Sequence, residues 1–273
     1  MIKDFFYLSL KNLRKRGIRS WLTVLGIFIG IAAVVAIISL GQGFQKAVEN
    51  QFSSIGGDKL FIQARGQFGP PGSSTVGAQL TLSDVDAVRK VPGVEDVAYF
   101  IIGNAKLVYR EKTRFYAIGG IPLKKGIKLV EEFYHIDEGR FLKSGDHKKA
   151  VVGSSYKSGS IFGSSVKLRE SLLIQGEEFE VVGILKTIGN PGDDSIILVS
   201  EDDIQTLFST GERVDNIIVK VPSNSELVAS RIEETLRKER NVDRGKEDFF
   251  LLTPEEVLDT FNNIFLVVQV FII

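Results

Sequence analysis

The sequence predicts an α+β protein. We expect an N-terminal transmembrane helix, an extracytoplasmic split βαβ domain with an inserted β-rich subdomain, and the start of a second transmembrane helix. Three observations lead to this prediction. Residues 21–40 form one uncharged apolar run, WLTVLGIFIGIAAVVAIISL. Strand-like and helix-like segments alternate from about residue 57 to residue 252. A last helical segment then leads into the apolar stretch IFLVVQVFII.

Composition narrows the possible functions. The chain has 273 residues, enough for more than one domain. It has no cysteine, which excludes disulfides, thiol nucleophiles and thiolate metal ligands. Lys plus Arg and Asp plus Glu both total 34, so the net charge indicates no particular partner. The basic residues of the outer part are scattered without interleaved aromatic residues, and we expect no nucleic-acid binding.

Residues 1–20 are predicted to form a cytoplasmic amphipathic basic segment. Apolar residues recur at helical spacing beside a cationic face, and such a helix lies among lipid head groups. A solvated basic tail is the alternative. Positive residues before a span resist translocation, so we expect a cytoplasmic N-terminus and an extracytoplasmic main domain at the cell membrane. The basic foot at the inner membrane surface would consist of Lys11, Arg14, Lys15, Arg16 and Arg19.

Residues 21–43 are predicted to form transmembrane helix 1. Helical residues rise about 1.5 Å each, so the apolar run can span the roughly 30 Å hydrocarbon core of a bilayer. A cleavable signal peptide is the alternative, but its apolar region is normally only about 7–15 residues long. Gly26 and Gly30 form a GxxxG pattern that Ala33 continues on the same face. Small residues let membrane helices approach closely, and we predict a helix–helix contact along this stripe.

Residues 44–56 are predicted to continue the helix outward as a stalk. Phe44, Val48 and Phe52 recur every four residues, which is typical of an amphipathic helix. A Gly-Gly pair then ends the helix.

The split βαβ domain is predicted from residues 57–124 and 210–252. In its first part, the strand DKLFIQA precedes an exposed loop at 66–77, a short helix and two strands. We predict that Ser83 caps the N-terminus of this helix with Asp86 at the third position, and that a Pro-Gly pair ends the helix.

The second part is predicted as strand, helix and strand. Val228, Ile232 and Leu236 form one apolar stripe on its helix. The same order in both parts predicts that they complete one split unit.

Residues 125–209, between the two parts, are predicted to form the inserted β-rich subdomain. Short apolar strands alternate with glycine, and residues 175–177 (QGE) predict a tight turn. Ser200 is predicted to cap a small helix that has Asp203 at its third position.

Residues 253–273 are predicted to contain a stalk and a truncated transmembrane helix 2. Thr253 is a candidate N-cap, followed by Pro254 and two acidic residues. Ten apolar-dominated residues are too few to cross a bilayer, so we expect a span that is cut short. A tail that docks on the membrane surface is the alternative.

The sequence contains no recognisable catalytic or cofactor motif. It has neither GxxxxGK[ST] nor a GxGxxG that follows a strand. His135 and His147 lack neighbouring ligand residues and are predicted to be surface histidines. Ser154 and Lys157 form SxxK, but no SDN or KTG accompanies them, so we expect no catalysis. Residues 193–194 (DD) are predicted to lie in a solvated turn. We therefore expect neither an enzyme nor a bound cofactor.

The first span and its flanks resemble the MacB/FtsX-type permeases of ABC transporters. The stretch RSWLTVLGIFIGIAAVVAIISLGQGFQ is followed by SIGGDKLFIQ, and the resemblance extends to about residue 260. The positions that match the family's pattern are Arg19, Ser20, Leu22, Thr23, Leu25, Gly26, Ile27, Ile29, Gly30, Gly41 and Gly43.

This resemblance implies a porter-like split βαβ domain with a sabre-like insertion. It further implies a partner ABC ATPase, separate or fused, and a homodimer or heterodimer of permeases. ATP hydrolysis would move the outer domain for export, extraction or transmembrane signalling, a form of mechanotransmission. The family has four spans, whereas this sequence has one and the beginning of a second. A membrane-anchored extracellular binding module without an ATPase is the alternative.

Overall fold

The computed structural model describes residues 18–55, 58–65, 78–222, 225–253 and Glu256. The chain divides into two compact units. One, the helical unit, comprises Met1–Ser54 and Glu255–Ile273. The other, the outer domain, comprises Ile55–Pro254.

Apart from Glu256, the described residues of the helical unit all belong to one long helix, α1 (Ile18–Ile55), whose last residue is assigned to the outer domain. Its segment Trp21–Gly43 has a mean hydropathy of 2.7 and is the one helix among the described residues that is long and apolar enough to cross a membrane. Large apolar side chains such as Phe28 and Leu40 are exposed along it. The helix runs without a break from this segment to Ile55, and the assignment of residues 44–56 as a stalk stays a prediction. Gly56, Gly57 and the segment after Glu256, including the predicted second span, lie outside the described residues.

The outer domain combines a large sheet with short helices. Its strands are β1 (Lys59–Ala64), β2 (Leu80–Thr81), β3 (Asp96–Tyr109), β4 (Lys112–Ile121), β5 (Ile136–Gly139), β6 (Lys149–Val152), β7 (Ser171–Ile174), β8 (Glu177–Leu185), β9 (Ile197–Ser200), β10 (Arg213–Val214), β11 (Asn216–Lys220) and β12 (Phe249–Leu252). Its helices are α2 (Leu82–Arg89), α3 (Ile127–Phe133), α4 (Ser154–Lys157), α5 (Pro191–Asp194), α6 (Glu201–Phe208) and α7 (Ser225–Arg240). The outer domain thus contains both helices and strands, as the predicted α+β class requires, and its division into a split βαβ domain and an inserted subdomain stays a prediction.

The main sheet has the strand order β12-β1-β11-β3-β4-β9-β6-β8-β5, with β7 beside β3 and β8. Its first four strands are antiparallel, and they come alternately from the end and the beginning of the outer domain. In β1, for example, Leu60 lies opposite Val219 of β11, and Ile62 lies opposite Leu251 of β12.

Strand β3 joins this group to the strands that follow. Its first half pairs with β11 and its second half pairs with β4. The end of β4 is in turn parallel to β9, with Ile118 opposite Ile197. Backbone hydrogen bonding is therefore continuous across the boundary predicted after residue 124.

The two faces of the sheet bury two apolar clusters. The larger contains Tyr99 of β3 and lies against α2 and α7. The predicted stripe on α7 is buried there, with Ile232 and Leu236 fully inaccessible, which confirms the helical spacing. The smaller cluster contains Ala98 and Phe100, the neighbours of Tyr99 on the opposite face, and is covered by α3.

The cap predicted for α2 is wrong by two residues. The N-cap is Thr81: its backbone N–H donates to Asp84 Oδ2 at 2.8 Å, and its hydroxyl accepts from the Asp84 N–H at 3.4 Å. Asp84 is buried and accepts from Arg240 at 2.6 Å, whereas the predicted cap, Ser83, is exposed and donates to Glu239. The helix therefore begins where the buried carboxylate can be paired.

Two other local predictions are confirmed. Ser200 caps α6 and accepts from the N–H of Asp203 at 3.1 Å. Gln175 and Gly176 turn between β7 and β8 with φ of 53° and 89°, a left-handed pair suited to a tight hairpin.

Residues 193–194 are more ordered than the predicted solvated turn. They end α5 and are half-buried. Asp193 accepts from the Tyr134 hydroxyl at 3.0 Å, and Asp194 accepts from the backbone N–H groups of Ile188 and Gly189. These contacts tie the loop before α5 to α3.

Candidate coupling site at the base of the sheet

The chain reaches and leaves the outer domain at one end of the sheet, here called the base. Strand β1 begins at Lys59, four positions after α1 ends at Ile55, and β12 ends at Leu252. The two strands are antiparallel neighbours, with Leu252 opposite Phe61. Both chain connections to the helical unit therefore start from adjacent strands.

A buried lysine stands at the base. Lys59 is only 5% exposed. Its Nζ lies 2.9 Å from Asp58 Oδ1, 3.0 Å from Glu132 Oε2 and 5.6 Å from the centre of the Phe133 ring. A cation removed from water must be paired, and these contacts pair it. They also connect the first residue of β1 to the end of α3.

Glu132 bridges two lysines. Lys220 of β11 lies opposite Lys59 in the strand register. It donates to Glu132 Oε1 at 2.8 Å, so each oxygen of this carboxylate serves one lysine. Asp58, Lys59, Glu132 and Lys220 together form what we call the coupling cluster, which connects β1, β11 and α3.

The charges of the coupling cluster stabilise one another. The hydrogen bond from Lys220, aided by Lys59, lowers the pKa of Glu132 although burial opposes the shift. Burial raises the pKa of Asp58, but the hydrogen bond and charge of Lys59 outweigh it and leave a net lowering. The hydrogen bond to Glu132 raises the pKa of Lys220. These shifts favour the charged forms of Asp58, Glu132 and Lys220, so the cluster is suited to holding elements together rather than to proton transfer.

The predicted helix-packing residues form an open stripe on α1. A Cβ added at Gly26 or Gly30 would meet no atom within 4 Å, and Ala33 is exposed. Among the described residues nothing covers this stripe, and the helix–helix contact stays a prediction. Of the basic foot, Lys11, Arg14, Lys15 and Arg16 lie outside the described residues, as does the side chain of Arg19.

The other predicted candidates are ordinary surface groups. His135 and His147 are both exposed, as predicted. Lys157 lies 2.6 Å from Asp137 and 2.7 Å from Glu138, and these hydrogen bonds raise its pKa. A lysine held protonated cannot act as a general base for Ser154. Within the residues that the structure describes, no three His, Cys, Asp or Glu side chains are grouped to hold a metal ion.

Sequence reasoning missed the coupling cluster. A lysine at the first position of an apolar strand normally indicates an exposed strand end. Its partner Glu132 lies on a different element, and Lys220 is 88 positions from that glutamate. No local pattern links these positions.

The chain matches the family model of the MacB-like periplasmic core domain over residues 20–235. An uncharacterized ABC transporter permease of Methanocaldococcus jannaschii is 30% identical over 273 residues, which cover 100% of this chain and 67% of that protein. The macrolide export ATP-binding/permease protein MacB of Aggregatibacter actinomycetemcomitans is 24% identical, over 96% of this chain and 41% of that protein. This chain thus spans about two thirds of the first relative and two fifths of the second.

Two solved structures share the fold. The periplasmic region of MacB from Actinobacillus actinomycetemcomitans has a TM-score of 0.64 at 21% identity, over 80% of this chain and 98% of that structure. The extracellular domain of the ABC-type transporter YknZ from Gram-positive bacteria has a TM-score of 0.55 at 17% identity, over 71% of this chain and 99% of that structure.

Proposed function

Because this chain belongs to the family of the MacB-like periplasmic core domain, we propose that it is the N-terminal part of an ABC transporter permease whose outer domain is moved by a partner ATPase. Relatives over nearly its whole length are named as ABC transporter permeases or MacB proteins. The outer domain has the fold of the periplasmic region of MacB. The chain itself would have no catalytic role, and ATP would be hydrolysed by the partner.

The proposed orientation places the N-terminus in the cytoplasm and the outer domain outside. It is supported by the net positive charge of residues 1–20 before the first span. The basic foot would hold α1 at the inner surface.

The geometry of the base carries the proposed coupling. Helix α1 runs unbroken for 38 residues from the apolar segment to within four positions of β1, a length of about 57 Å. A movement of its membrane segment would therefore be carried along one continuous helix to Ile55, four positions before Lys59. The coupling cluster would pass the displacement on to β11, which pairs with β3, and to α3, which covers the smaller apolar cluster of the sheet.

The partner of the Gly26, Gly30 and Ala33 stripe would be another membrane helix of the same permease or of its dimer mate. No side chain of the described residues fills the space above the two glycines, so a neighbouring helix backbone could approach closely.

These 273 residues contain no cysteine. A single cysteine replacing Lys128, which is exposed on α3, can therefore be spin-labelled in the intact permease that contains this chain, reconstituted with its ATPase, once any cysteine in the remainder of the permease is replaced by serine. We expect the distance between labels in the dimer to change when ATP and vanadate trap the closed ATPase, and to return with ADP. Unchanged distances in an assembled complex would refute the coupling. Failure of any ATPase to co-purify would favour the anchored binding module instead.

A further inference from the structure

A groove of about 260 Å³ opens on the outer domain between α2 and the loop from β4 to α3. Leu82 and Val85 of α2 and Pro122 of the loop give it apolar walls. Its volume lies just below the range of pockets for drug-sized molecules, so it suits a smaller ligand.

The groove is lined by three cations, Arg89, Lys124 and Lys125, and by two carboxylates, so its net charge is +1 (3 − 2). Asp86 is paired with Arg89 at 2.9 Å, whereas Glu201 accepts from the Tyr99 hydroxyl, a neutral donor that does not offset its charge. Lys124 and Lys125 also line the groove and are exposed.

Neither lysine side chain has a hydrogen-bond or ion-pair partner among the residues that the structure describes. Two free ammonium groups at the edge of an apolar groove would be neutralised by an anion, with charge-assisted hydrogen bonds.

The loop that carries these lysines is held in place. Gly126 has φ of +86°, and a Cβ there would lie 2.4 Å from the Val97 carbonyl oxygen and 2.9 Å from the Ala98 Cα. Only glycine lets the loop lie this close to β3. Arg89 donates to the same Val97 oxygen at 3.4 Å, so the lysine loop and the arginine share one anchor. The backbone that carries the three cations is thus positioned before any ligand arrives, which lowers the entropic cost of binding.

The groove also lies where different parts of the outer domain meet. Arg89 belongs to α2, which precedes the β3–β4 hairpin, whereas Glu201 begins α6, which follows the β-rich segment. Ligand sites are favoured at such junctions. We propose that this groove binds a small organic anion, with its carboxylate or phosphate group at Lys124 and Lys125 and its apolar body against Leu82, Val85 and Pro122.

Calorimetry on the full chain in lipid nanodiscs can test this proposal, with heats from empty nanodiscs subtracted. The probes are hexyl phosphate, hexanoate, neutral 1-hexanol and inorganic phosphate. We expect saturable binding of hexyl phosphate and hexanoate, the doubly charged phosphate binding more tightly. Hexanol should show no saturable binding because it lacks the anionic group, and inorganic phosphate should bind only weakly because it lacks the apolar chain. Binding of hexanol as tight as that of hexanoate, or no saturable binding of either anion, would overturn the proposal.

Substitutions locate the site. The Lys124→Gln/Lys125→Gln double variant should bind hexyl phosphate about tenfold more weakly, and its melting temperature should not change because neither side chain has a partner. Lys143→Gln is the matched control, since this lysine is exposed and lies outside the groove. Glu201→Gln should tighten binding severalfold because it removes a negative charge from the groove. Unchanged affinity in the double variant, an equal loss in the control, or no gain with Glu201→Gln would each contradict the assignment.

Discussion

The bridging carboxylate of the coupling cluster can be tested by Glu132→Gln. The substitution keeps the size of the side chain and removes its charge, which leaves buried Lys59 with Asp58 alone. Breaking a fully buried ion pair costs about 3–5 kcal/mol. Here the side chain of Glu132 is 38% exposed, so water screens part of the loss. We expect the free energy of unfolding to fall by about 2 kcal/mol, which for a domain of this size lowers the melting temperature by about 4–8 °C.

The pH dependence of this loss follows from the direction of the pKa shifts. The pKa of Glu132 is lower in the folded chain than in the unfolded one. Its contribution is therefore complete above the ordinary glutamate pKa and is lost as the pH falls through the lowered value. The pKa of Lys220 is raised. Its contribution is complete below the ordinary lysine pKa and disappears as the pH rises through the raised value. The difference between wild type and variant should thus be largest between about pH 6 and pH 9.

Thermal unfolding of the full chain in non-ionic detergent, followed by circular dichroism, measures this effect. Glu131→Gln is the matched control, because its exposed carboxylate has no partner among the described residues. Adding Lys59→Met to the Glu132→Gln variant should recover most of the lost stability, since it removes the unpaired buried cation. Equal melting temperatures for the Glu132 and Glu131 variants at pH 7 would refute the reasoning, as would a difference that persists at pH 2.

Three further predictions concern single positions. Gly126→Ala should lower the free energy of unfolding by at least about 2 kcal/mol, because the left-handed backbone is strained for alanine and the Cβ meets β3. Chemical denaturation measures this loss, and a value below about 0.5 kcal/mol would contradict the close approach of the loop to β3. In the same assay, Asp84→Asn should lower the free energy of unfolding by about 2–4 kcal/mol, since it weakens the cap of α2 and leaves the Arg240 guanidinium with Asp248 alone. A loss no larger than that of a surface substitution would show that the Asp84–Arg240 pair is dispensable. Gly30→Leu should reduce the yield of cross-links between α1 and the other membrane helices of the permease, whereas Ile31→Leu, which lies off the stripe, should not. Equal cross-linking yields for the two variants would exclude packing along Gly26 and Gly30.

The sequence predicted those elements whose evidence is local. The apolar run and its four-residue continuation predicted α1, and the stripe at Val228, Ile232 and Leu236 predicted the buried face of α7. The cap of α6 also depends on neighbouring residues alone. In each case the interaction that stabilises the element lies within about one helical turn, or depends only on which face is apolar.

The cap of α2 shows where local evidence ends. Thr81 with Asp84 and Ser83 with Asp86 both have the spacing of a capping box. The structure selects the first pair because Arg240, 156 positions from Asp84, supplies the charge that a buried carboxylate needs. The coupling cluster and the anion groove escaped prediction for the same reason, because their members are distant in the chain and meet only in the folded domain.

The loop and helix at residues 122–133 connect the two proposed roles physically. The loop carries Lys124 and Lys125 to the groove, and Gly126 lies close against β3. Helix α3 follows directly and contains Glu132 of the coupling cluster in its last turn. A short helix packed on the sheet moves as one body, so a displacement at Lys59 would act on the same segment that holds the anion. If the position of α3 changes during the transport cycle, the affinity of the groove must change with it. By thermodynamic linkage, a bound anion would then stabilise the position of α3 that binds it more tightly, by the same free energy by which the change of position alters anion binding.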